Sequence, residues 1–113
     1  MRSTLARNGP AADCAWVGEM GWRGAAEVRE SLFDELEGHP DALLRLDVRA
    51  VSSIDRVGIA MLIGANWRAR ALGRRLVLID SFGPVTAGLS RLHALEDFEM
   101  VQVPPDPRTP RSG

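Results

Sequence analysis

The stretch Leu43-Leu44-Arg45-Leu46-Asp47-Val48-Arg49-Ala50-Val51-Ser52-Ser53-Ile54-Asp55-Arg56-Val57-Gly58-Ile59 decides the fold. Leu44, Leu46 and Val48 alternate with Arg45, Asp47 and Arg49, while Leu43 and Val51 add apolar surface on the other side. That pattern predicts a strand at least half buried. The chain then turns through Ser52, Ser53 and Ile54 into a helical run whose expected apolar face is Ile59, Leu62, Ile63 and Trp67. Arg68, Arg70, Arg74 and Arg75 collect towards its end, where the helix dipole favours cations, and Gly73 closes it. Asp55 is placed to be the N-cap, its carboxylate accepting the backbone N–H of Val57 or Gly58.

Upstream, residues 14–20 carry Trp16, Val17 and Met20 and read as a strand, followed by a turn from Gly21 to Gly24. Residues 25–37 are helical in pattern, with Ala25, Val28, Leu32 and Leu36 on one stripe and Glu27, Arg29, Glu30 and Asp34 facing water; Gly38 and Pro40 stop the helix. Downstream, residues 76–79 form a continuous apolar strand, residues 80–84 turn the chain, and Val85, Leu89, Leu92 and Leu95 mark a third helix. A last strand is expected over 98–103. Residues 1–13 read as a loose lead-in with a short edge strand around Thr4 to Ala6, residues 14–103 as the folded domain, and the proline-rich residues 104–113 as a disordered tail. Strands alternating with helices at these loop lengths predict a single α/β domain, a mostly parallel sheet of four to five strands with right-handed crossovers.

Composition narrows the function. The 113 residues are 45% hydrophobic and 26% charged with a net charge of -1, which argues against nucleic-acid binding by bulk electrostatics. No apolar run approaches the length of a membrane span, and no signal segment follows Arg2, so a cytoplasmic protein is expected. One cysteine, Cys14, cannot close an intramolecular disulfide, and His39 and His93 lie too far off in sequence to complete a metal site with it. All 14 basic residues are arginine, which removes lysine-dependent chemistry, including that of Mg²⁺-dependent receivers, although Asp47, Asp55 and Asp80 stand near expected strand ends. No nucleophile and base share a motif, so neither catalysis nor a cofactor is expected. Trp16, Trp22 and Trp67 are read as core or half-buried aromatics, with Trp22, in its glycine-flanked turn, able to reach a partner.

The order of elements and several local motifs over residues 16–103 resemble the STAS domains of bacterial anti-sigma factor antagonists. Gly18-Glu19-Met20-Gly21 is similar to that family's Gly-Glu-Leu-Asp turn, and Val28-Arg29-Glu30-Ser31-Leu32 to its Leu-Arg-x-Ala-Leu helix. Leu46-Asp47-Val48-Arg49-Ala50-Val51 matches a Leu-Asp-Leu-x-x-Val strand end, and Ile54-Asp55-Arg56-Val57-Gly58-Ile59 its Phe/Met-Asp-Ser-Ser-Gly-Leu signature. Arg70-Ala71-Leu72-Gly73, Leu76-Val77-Leu78 and Pro84-Val85 complete the pattern. The resemblance implies a non-enzymatic module that binds an anti-sigma factor of serine-kinase (GHKL) type and so releases a sigma factor for transcription. In the family the second serine of the signature is phosphorylated, and the added charge switches binding off. Val57 stands there and has no hydroxyl, and Gly21 replaces the nearby aspartate, so the inherited switch is expected to be absent.

The implied contact residues are Glu19, Met20, Gly21, Trp22, Ser53, Asp55, Arg56, Val57, Gly58 and Met61. Ser52, Ser53 and Ser81 are alternative acceptor hydroxyls. Arg56 at a helix start could hold an anion or nucleotide phosphate instead. The alternatives within the same resemblance are a structural subunit of a lipid-type ABC transport assembly and an anion-sensing domain; a homodimer is a further option.

Overall fold

The computed structural model describes residues 4–7, 13–38 and 42–104; Pro40, His39 and the tail beyond Pro104 lie outside them. Six strands form one sheet: β1 (Thr4–Arg7), β2 (Cys14–Met20), β3 (Leu43–Asp47), β4 (Val51–Ile54), β5 (Arg75–Asp80) and β6 (Glu99–Gln102). Three helices connect them: α1 (Ala25–Gly38), α2 (Arg56–Ala71) and α3 (Pro84–Arg91). The order is β1-β2-β3-β5-β6, with β4 also on β2; only the β1–β2 pair is antiparallel. This is the α/β, mostly parallel architecture expected. The core joins Trp16 and Met20 of β2, Leu44 and Leu46 of β3 and Leu76 and Leu78 of β5 to Leu32 and Leu36 of α1, Leu62 of α2 and Leu89 of α3.

The run expected as one strand ending in a serine turn is two strands. After β3, the Arg49 N–H donates to Asp47 Oδ1 at 2.9 Å and the Arg49 guanidinium grips the same carboxylate, its Nη2 2.7 Å from Oδ2. Asp47, placed at the end of β3, is thereby paired where it is buried. The Val51 N–H closes the turn on the Val48 carbonyl at 3.2 Å, and the Gly18 N–H donates to Ala50. The chain therefore leaves β5 and rejoins β2 higher up, as β4. Gly18, at φ 99°, sits at the register shift that lets β2 pair with β3 through its first half and with β4 through its second.

Two helices also differ from expectation. The buried face of α2 is Gly58, Ile59, Met61, Leu62, Ala65, Asn66 and Ala69; at 100° per residue Trp67 falls opposite its centre and Ile63 on its outer flank. Trp67 is 69% exposed and Trp22 67%, so only Trp16 is a core tryptophan. α3 ends at Arg91, because His93 takes a left-handed conformation (φ 55°) and the Ala94 N–H turns back to the Leu89 carbonyl at 2.9 Å. His93 is thus off the helix, Leu92 is exposed, and Leu95 begins a separate 3-10 turn.

The start of α3 depends on a residue outside it. Its N-cap, Gly83, offers no side chain. Asp80, 1% exposed at the end of β5, supplies the acceptors instead, taking the Ser81, Gly83 and Thr86 N–H groups and the Thr86 hydroxyl at 2.6–3.2 Å. Removing a carboxylate that satisfies several donors strands all of them. Asp80→Ala is therefore expected to destabilise the fold by about 3 kcal/mol, read from urea denaturation, whereas Ser52→Ala, at an exposed position of β4, is expected to change the stability by no more than about 0.5 kcal/mol.

Candidate protein-binding site

The carboxyl ends of β2 and β4 and the first turn of α2 converge. The Asp55 N–H donates to the Met20 carbonyl at 3.2 Å, extending the β2–β4 ladder to its last rung. The Asp55 backbone is extended (φ -115°, ψ -175°), the N-cap conformation. Its Oδ1 accepts the Gly58 N–H at 3.0 Å, one of the two expected cap donors, and its Oδ2 accepts the Trp22 N–H at 3.1 Å. One carboxylate thus caps α2 and ties down the turn after β2. Donation from Gly58, and secondarily from Trp22 and Val57, holds the Asp55 carboxyl below its ordinary pKa against the opposing effect of burial.

Two glycines make room for this junction. A Cβ on Gly58 would collide with the Met20 carbonyl oxygen, so only glycine lets the first turn of α2 lie on the end of β2. A Cβ on Gly21 would stand 2.6 Å from Asp55 Oδ2. The aspartate that the antagonist pattern has at this place would crowd a second carboxylate onto Asp55, so Gly21 and the Asp55–Trp22 bond belong together.

Around the junction lies an open cleft of about 380 Å³ lined by Glu19, Gly21, Trp22, Arg23, Ser53 and Asp55. The Arg23 guanidinium sits 5.2 Å from the centre of the Trp22 ring, a cation–π arrangement that props an exposed indole. Arg23 is a site residue the sequence reading missed; its signal was an arginine next to a tryptophan between Gly21 and Gly24. Arg56 and Val57 stand exposed on the first turn of α2, Val57 at 44%. Ser53 is exposed on β4 and Glu19 half-buried on β2. Met20 and Met61 are 0% and 6% exposed and belong to the core, and Gly58 acts through its backbone. These three, grouped with the contact residues in the sequence reading, shape the site from beneath and do not face a partner. Ser81 is also committed, its hydroxyl donating to the Val103 carbonyl at 2.6 Å. Among the described residues no His, Cys, Asp and Glu side chains gather as a metal site would need, and no helix is long and apolar enough to cross a membrane.

The family model described as "Mlab, STAS domain" matches residues 4–102, and the chain belongs to this family of STAS domains. Among solved structures, that of the anti-sigma factor antagonist SpoIIAA in its unphosphorylated form is similar, with a TM-score of 0.64 over 91% of this chain and 90% of that one. The two are 12% identical in sequence, and the likeness is one of fold. No curated protein sequence matches.

Two outcomes follow from the junction. Gly58→Ala is expected to cost about 3 kcal/mol or more, since the obstruction is backbone and cannot swing aside; equilibrium denaturation measures it. For Asp55, a carboxyl whose pKa is lower folded than unfolded adds stability that is complete above its ordinary value and is lost as the pH falls through the folded value. The stability gap between the parent protein and Asp55→Asn is accordingly expected to shrink on acidification through that range, measured by urea denaturation at a series of pH values.

Proposed function

We propose that this STAS domain is a non-enzymatic protein-binding module of the anti-sigma factor antagonist kind, acting in the bacterial cytoplasm on a kinase-fold (GHKL) anti-sigma factor and so regulating sigma-factor-dependent transcription. The observation that carries the reading is Val57. It stands where the antagonist signature has its phosphorylated serine, on the first turn of α2 and exposed, beside Arg56 and two residues after Asp55, whose carboxylate also holds the Trp22 N–H. An apolar side chain held out at a capped helix start gains about 0.8 kcal/mol for each CH₂ a partner covers, and Trp22 offers the aromatic anchor that recurs at binding hot spots. The contact surface in this reading is Glu19, Gly21, Trp22, Arg23, Ser53, Asp55, Arg56 and Val57. With valine at the switch position, binding there is constitutive with respect to phosphorylation.

The test is capture of partners from the native lysate by the tagged chain, read by mass spectrometry. A GHKL-type kinase is expected to be enriched, and Val57→Asp, which leaves the core untouched, is expected to lower its affinity at least about tenfold, as a buried unpaired charge would. A kinase bound equally well by the variant would move the interface elsewhere. Recovery of an ATPase or permease of a transport system in place of the kinase would replace this reading with that of a structural transporter subunit.

A further inference from the structure

The outer face of α2 is apolar where a surface helix is ordinarily polar. Ala60, Ile63, Gly64, Trp67 and Ala71 fall on one side of the helix, away from its buried face. Ile63 is 36% and Trp67 69% exposed, and the Trp67 indole has neither hydrogen bond nor ring contact among the described residues. The small residues Ala60, Gly64 and Ala71 leave flat ground around it. The charges beside this stripe are sorted by helix. α2 carries Arg56, Arg68 and Arg70 and no carboxylate, whereas α1, packed against it, carries Glu27, Glu30, Asp34, Glu35 and Glu37 against the single Arg29. Glu27, Glu30, Asp34 and Glu37 are exposed.

We propose that this α1–α2 face is where two copies of the chain associate. A foreign partner bearing one sign of charge would be attracted to one helix and repelled by its neighbour. A second copy meets both at once. α1 and α2 each cross between parallel strands, β2 to β3 and β4 to β5, so the two run in the same direction. A two-fold axis lying between them, and along them, then lays the acidic α1 of each copy on the basic α2 of the other, twice over, with Ile63 and Trp67 enclosed. Such a self-complementary patch is what a two-fold interface requires. Arg68 and Glu37 form an exposed ion pair within one copy; a pair of that kind adds little to stability and leaves both groups able to pair across. Trp67 lies about 15 Å along the helix from Val57 at 1.5 Å per residue, so the association leaves the start of α2 open to a different partner.

The experiment is sedimentation velocity on the full chain from micromolar to millimolar concentration, at low and at high salt. A reversible dimer is expected. Raising the salt should weaken it, because charge pairs at the rim are screened, and Trp67→Ala, at a side chain outside the hydrophobic core, should weaken it by about tenfold or more. Glu30→Arg with Asp34→Arg, and separately Arg68→Glu with Arg70→Glu, are each expected to be monomeric, since the first pair leaves α1 with no net charge to set against α2 and the second leaves α2 net acidic against an acidic α1, while their equimolar mixture, which restores one contact of acidic α1 on basic α2, forms a heterodimer. Thermal melts check that the Arg70 variant is folded, because Arg70 also donates to the Asp97 carbonyl at 3.0 Å. A chain that stays monomeric at every concentration, or a dimer indifferent to both salt and Trp67→Ala, overturns the proposal, and so does a mixture of folded variants that fails to pair.

Discussion

The Asp55 carboxylate is the constraint from which the functional end of the molecule hangs. Its two oxygens face different segments, one the first turn of α2 and the other the turn leaving β2. Beside it, the Asp55 N–H bond to Met20 and the close approach of Gly58 to the Met20 carbonyl are backbone contacts to the end of β2 and leave the turn at Trp22 untouched. The glycines at 21 and 58 are its steric conditions, because a side chain at either place would occupy space that the carboxylate or the Met20 carbonyl already fills. Trp22, Arg56 and Val57 are held outward by this arrangement, and their exposure follows from where the backbone is fixed. A charge-assisted bond to backbone N–H groups is stronger than a neutral one, which suits a junction with little apolar burial of its own.

Asp80 repeats the device one strand further along the chain. Asp80 ends a parallel strand and Asp55 directly follows one, and both satisfy open N–H groups of the helix that follows. They differ in burial and reach. Asp55 is the N-cap itself and spans two loops at the surface; Asp80 acts from three residues before the cap and is enclosed, with Gln102 joining the network through Thr86 Oγ1 and the Phe82 N–H. Phe82 is held at φ 50° and 78% exposed, an uncommon backbone conformation for a bulky residue. Its N–H bond to Gln102 and the Asp80 network on either side of it fix the turn in that shape.

Much of the architecture could be read from the sequence because alternation and helical spacing report directly on burial. The strand over 14–20, the apolar strand over 76–79, the helix start after Asp55, a third helix after the turn at 80–84, and the α/β class all follow from such patterns. Features governed by contacts between distant segments were not legible. The break between β3 and β4 depends on Arg49 folding back onto Asp47 and on Ala50 meeting Gly18, and an alternating apolar run carries no sign of either. The apolar side of α2 was assigned from its largest residues, yet Ala65, Asn66 and Ala69 face the sheet while Ile63 and Trp67 face out. Bulk misleads where helix and sheet pack closely enough to admit only small side chains. At the site, the cap at Asp55 was legible from local chemistry, whereas its second bond, to Trp22, needs the fold to bring residues 33 positions apart together.

The fork in the sheet has a mechanical consequence. β2 shares one edge between two strands, and β4 is held to it through only the pairs Gly18–Val51, Glu19–Ser53 and Met20–Ile54. Against its other side lies α3, where Gly88 comes so close to Ile54 that a Cβ there would stand 2.8 Å from the isoleucine methyl. β4 is thus a cantilever with a short root, and the first turn of α2 is its loaded tip. A force applied at that tip is carried sideways into α3 and down the second half of β2, and reaches β3 only through the first half of that same strand.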